Sequence, residues 1–109
     1  MQCMLTVRRL KPGAEEEFGR AWAPERWSKR MVRAYHLRRQ EDPLEVITLA
    51  FFEGEPEEIE AMRDEQSWMA GEERRLSRIA PLEESVGLTG VFDVVEVVQA
   101  SESGSSGSS

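Results

Sequence analysis

The sequence predicts one α+β domain over residues 1–99, built as two halves that each place a helix between strands. Three features carry this expectation. Period-2 apolar runs alternate with segments whose apolar residues recur at helical spacing. The 109-residue length suits a single core rather than two. The strand segments also hold more apolar residues than one side of a sheet can use.

Residues Cys3 to Arg9 open the chain as a strand, with Cys3, Leu5 and Val7 on one side and Met4, Thr6 and Arg8 on the other. Lys11-Pro12-Gly13 breaks the strand. Pro12 suits the first turn of a helix, and Glu15, Glu16 and Glu17 put negative charge where the amide dipoles favour it. Ala14, Phe18, Ala21 and Trp22 make that helix's apolar stripe, and Pro24 ends it. Met31 to Arg39 and Glu45 to Phe52 read as a hairpin joined through Asp42-Pro43. Gly54-Glu55-Pro56 opens a further helix with Ile59 and Met62 on its buried side, and Ser67 is the expected cap of a continuation to about Ala80. The last strand is expected over Thr89 to Val98, a Val-dense run. Residues 100–109 are nearly all Ser and Gly and are read as a disordered tail, natural or left from expression.

The resulting order, βαββαβ, is the ferredoxin-like arrangement: a four-stranded antiparallel sheet with helices on one face. Twelve apolar strand residues (Cys3, Leu5, Val7, Val46, Ile47, Leu49, Phe51, Val91, Phe92, Val94, Val95 and Val97) exceed what the helices can cover. A homodimer meeting through the bare sheet face would shelter the remainder.

Bulk chemistry narrows the partners. A formal net charge of −7 opposes attraction to phosphate backbones and anionic lipid, so neither nucleic acid nor membrane is expected. Cys3 is the sole cysteine and His36 the sole histidine, which provides neither a disulfide nor a zinc cluster, and no metal site is expected. With no secretory leader and no apolar stretch near ~20 residues, the expectation is a cytoplasmic protein.

Leu10-Lys11-Pro12-Gly13 with Glu15-Glu16-Glu17-Phe18, the Phe51-Phe52 strand end, and Ile79-Ala80-Pro81-Leu82 resemble the antibiotic biosynthesis monooxygenase family of dimeric α/β barrels. The resemblance spans about residues 1–99. It implies a helix–sheet cleft and, for the members that work without a cofactor, oxygenation in which the substrate supplies the electrons; no cofactor is expected here. A haem-degrading branch resembles an Asn, Trp and His constellation, and the matching positions here hold Thr6, Met62 and Glu72. The chain contains no Asn, and a glutamate is a poor substitute for a proximal imidazole, so haem breakdown is not expected.

Glu72, His36 and Tyr35 are the candidate catalytic residues. Glu72 lies on the stripe of Trp68, Met69, Leu76, Ile79 and Ala80. It reads either as a general base in an apolar cleft, or as an ion-pair partner of Arg8, Arg33 or Arg75, or as a residue reaching water at the rim. His36 and Tyr35 are sequence neighbours on a strand and therefore point to opposite faces. Either serves a bound phenol as proton shuttle or hydroxyl donor, or makes an ordinary cross-strand or interface contact. Thr6, Trp22, Trp27, Met62 and Trp68 are the candidate ligand-binding residues, since flat aromatic walls suit a planar aromatic ligand. Trp22 is equally explained by core packing, and Trp27 by a pocket lid or a subunit contact. Arg38-Arg39 and Arg74-Arg75 are expected as solvated surface pairs. A non-enzymatic ligand-binding or structural dimer is the alternative to an oxygenase.

Overall fold

The computed structural model describes residues 1–100, and the expected Ser/Gly tail falls almost wholly outside them. The order is β1 (Gln2–Leu10), α1 (Glu15–Ala21), β2 (Met31–Arg38), β3 (Glu45–Phe52), α2 (Pro56–Arg63), α3 (Gln66–Ile79), a 3₁₀ turn (Ala80–Leu82) and β4 (Glu83–Asp93). The strands form one antiparallel sheet in the order β2-β3-β1-β4. This is the ferredoxin-like arrangement the sequence predicts.

Alternation along the strands produces two faces of different character. Val46, Ala50 and Phe52 of β3 with Leu10 of β1 are buried beneath the helices. There they form two clusters, one with Phe18, Ile79 and Leu82, the other with Ile59 and Met62. The opposite face holds Leu5, Val7, Ile47, Leu49, Phe51, Tyr35, Leu37, Leu88 and Phe92, and no helix among the described residues covers it. Its outer members are open to solvent, Leu88 by 60% and Leu37 by 44%.

Four boundaries differ from expectation. Pro12 precedes α1 instead of starting it: Gly13 takes φ +83° and turns the chain, and the helix begins two residues later. The long second helix is two helices, parted where Asp64 N–H bonds back to the Glu60 and Ala61 carbonyls. Ser67 lies inside the first turn of α3, whose preceding residue is Glu65. β4 spans Glu83–Asp93, not Thr89–Val98, because β1 offers a ladder running from Gln2↔Asp93 to Leu10↔Glu83 that outweighs the weak strand propensity of Glu83-Glu84-Ser85 and Gly87. Val94, Val95 and Val97 therefore add nothing to the sheet, although Val94 N–H still bonds the Met1 carbonyl at 3.0 Å.

Candidate functional site

Strand register places a polar row across the middle of the helix-side face. His36 opposes Thr48, Thr48 opposes Thr6, and Thr6 opposes Thr89, so one line crosses all four strands. It separates the two apolar clusters. The adjacent row, Ala34, Ala50, Met4 and Val91, is apolar. Thr48, Thr6 and Thr89 of the first row and Ala50, Met4 and Val91 of the second floor a cleft of about 1010 Å³ between sheet and helices.

The walls come from irregular chain and from α3. Trp22 and Trp27, 6.1 Å apart and edge to face, line one side with Pro24. Trp68, Met69, Glu72, Arg75 and Leu76 line the other, as expected of α3 residues at helical spacing. Trp68 is fixed edge-on against Phe52 at 5.9 Å. All three tryptophans thus face one space.

Glu72 lines the cleft as an ion-paired carboxylate. Arg75 donates to it twice, Nε to Oε1 at 2.9 Å and Nη2 to Oε2 at 3.0 Å, while its Nη1 donates to the Trp22 carbonyl at 3.0 Å. The ion-pair reading, with Arg75 of the three candidates, is the one the geometry supports. This also corrects the reading of Arg75 as a solvated surface residue, because its side chain is only 15% exposed. Its neighbour Arg74 does pair at the surface, with Glu25 at 3.1 Å.

In the next row of the same face, opposite Val46 and Val86, Arg8 is buried on the helix side, paired with Glu83 and donating from Nη1 to Thr48 Oγ1 at 2.9 Å. Its guanidinium lies 5.8 Å from the Phe18 ring centre. Burial lowers the Arg8 pKa from its ordinary value, while the bond to Glu83 opposes that. Thr6 and Thr89 share a hydrogen bond at 2.8 Å.

Five of the eight predicted residues (Thr6, Trp22, Trp27, Trp68 and Glu72) meet at the cleft. Three do not. Tyr35 is on the bare face, edge-on to Phe51 at 6.4 Å, with its hydroxyl accepting from Arg33 at 3.2 Å. Its odd register relative to His36 sends it there. His36 is on the helix side but wedged between Phe18 and Trp22, at 5.2 and 5.7 Å, rather than lining the cleft. Met62 is buried in the second core cluster, facing the sheet from the inner side of α2. Sequence reasoning missed Thr48, Thr89 and Met4 as cleft residues, because a strand's partner and register are not written in its own pattern.

At the position where a haem ligand would fall under the resemblance, Glu72 has both oxygens engaged by Arg75, and the only imidazole stands away from the cleft. This donor set does not fit a haem iron. No group of three or more His, Cys, Asp or Glu side chains among the described residues is placed to hold a metal ion. No helix there is long and apolar enough to cross a membrane.

No family model and no curated protein matches the sequence. Solved structures do. A protein of Chloroflexus aurantiacus J-10-fl, named as a candidate antibiotic biosynthesis monooxygenase, superposes with a TM-score of 0.66 at 12% identity, covering 90% of this chain and 96% of its own. The chain has that fold. A similarly named protein of Nitrosomonas europaea gives 0.60 at 10% identity, over 88% of this chain and all of its own. A third structure named antibiotic biosynthesis monooxygenase gives 0.54 at 13% identity, again over 88% and 100%. At these identities the shared property is the fold alone, the ferredoxin-like βαββαβ arrangement.

Proposed function

We propose that the chain is a homodimeric member of the antibiotic biosynthesis monooxygenase group that takes a small apolar aromatic molecule into the helix–sheet cleft and oxygenates it without a cofactor. The observation that carries this reading is the convergence of Trp22, Trp27 and Trp68 on one cleft floored by a threonine row. Flat aromatic walls with a few polar groups suit a planar ring bearing oxygen. For a phenol the reaction balances with oxygen alone: the ring loses two hydrogens, one oxygen atom of O₂ becomes the new carbonyl, and the other leaves as water.

The dimer part of the reading rests on the bare face. Leu5, Val7, Ile47, Leu49, Phe51, Leu37, Leu88 and Phe92 form an apolar surface with no second layer over it among the described residues, and a twofold copy presents the matching surface.

A second reading, a binding module without turnover, is favoured by the Glu72–Arg75 pair and by the placing of Tyr35 on the far face. Neither candidate base stands free in the cleft. Incubating the pure protein with a panel of hydroxylated polycyclic aromatics under oxygen, while following oxygen uptake and product mass, separates the two. Turnover supports the oxygenase, saturable binding without uptake supports the module, and neither binding nor uptake removes the cleft from consideration.

A further inference from the structure

Thr48 is the buried member of the polar row, and its hydrogen bonding is asymmetric. Arg8 carries donors only, so in the 2.9 Å contact Thr48 Oγ1 is the acceptor. The hydroxyl keeps its own hydrogen, and Arg8 is its one hydrogen-bond partner among the described side chains. Thr48 lines the cleft, so that hydrogen is available to whatever the cleft holds. A guanidinium donating to a hydroxyl polarises it and makes it a stronger donor in turn. The Thr6 and Thr89 hydroxyls beside it are hydrogen-bonded to each other at 2.8 Å.

From the spare, polarised Thr48 hydrogen we infer that the cleft floor recognises an acceptor oxygen, a ring carbonyl or phenolate, with Arg8 acting through the Thr48 hydroxyl. The inference rests on the cleft being a ligand site and adds which substrate class it selects: oxygen-bearing aromatics over hydrocarbons of the same shape. Arg8 is a positioning residue here. It is buried outside the cleft lining and paired with Glu83, so it contributes directional polarity without offering the ligand a bare charge.

Equilibrium dialysis with fluorenone and fluorene, two tricyclic probes that differ by a carbonyl in place of a methylene, tests this. The wild-type protein is expected to bind fluorenone about fivefold more tightly than fluorene, the worth of one net hydrogen bond. Thr48→Val should remove that preference while leaving fluorene binding unchanged, and Thr48→Ser should restore it. Equal affinity for the two probes in the wild type overturns the inference and leaves the cleft reading standing, and this arm needs no variant to fold. A Thr48→Val protein that keeps the preference, or loses both probes equally, also overturns it. Binding of neither probe overturns the cleft reading together with the inference.

Discussion

His36 is wedged between Phe18 and Trp22 with its Nε2 buried and without a partner among the described residues, and burial, then the nearby Arg38 charge, lowers its pKa below the ordinary 6.5. The folded state therefore favours the neutral ring. A group with a depressed folded pKa lends stability that is fully present above about pH 6.5 and is lost as pH falls through the lower folded value. His36→Phe removes this titration. In melts at pH 8 and pH 5, the variant's stability relative to wild type should rise at the acidic end, and parallel pH profiles would contradict the assignment. Glu72 poses the second residue-scale question. Its pairing with Arg75 is partly buried, so Glu72→Gln should cost about 1 kcal/mol in denaturant unfolding. It should leave ligand binding intact, whereas loss of turnover with binding retained would restore Glu72 as the base. That Glu72 faces the cleft was legible from helical spacing alone. Its partner was not, because Arg8, Arg33 and Arg75 all carry the same charge and only packing chooses among them.

At the scale of elements, the turn before α2 has the most specific requirement. Gly54 takes φ +139°, and a Cβ there would meet Arg30 Nη1 at 2.9 Å and Ile59 Cδ1 at 3.4 Å. The same Arg30 bonds the Glu53 carbonyl and the Glu58 carboxylate, tying the approach to β2 to the start of α2. Gly54→Ala is therefore expected to lower stability by about 1–2 kcal/mol in chemical denaturation. Glu58 also accepts the Glu55 N–H at 2.8 Å, which together with Arg30 holds its carboxyl below the usual range. Helix and hairpin positions were readable here because Gly54, Pro56 and the acidic first turn act locally. β4 was misplaced because its start depends on β1. Arg8 opposes Val86 and Leu10 opposes Glu83, and that pairing is non-local.

For the whole molecule, the balance of apolar surface decides the quaternary expectation. One sheet face carries the helices, packed on it through Phe18, Ile59, Ile79 and Leu82, and the other presents an uncovered band of Leu, Val, Ile and Phe. Water-exposed apolar area of this kind costs roughly 25 cal/mol per Å², so a second copy is its natural cover. Sedimentation velocity should show a dimer for the wild type. A charge in the middle of the band, as in Leu49→Glu, should shift it to monomer with the secondary structure preserved, while a monomeric wild type would overturn the dimer. The same substitution tests whether cleft binding depends on the partner.

By itself the sequence determined the βαββαβ order, the surplus of apolar strand surface and the helical face that carries Trp68 and Glu72, since each follows from periodicity and turn residues within a short window. Only the tertiary structure decided that Thr48, Thr6 and Thr89 form one row, that Arg8 is buried beside it, and that Tyr35 and His36 are lost to the cleft. Those outcomes depend on strand register and on which buried charges find each other. Both are set by contacts between residues far apart along the chain, and no local pattern encodes them.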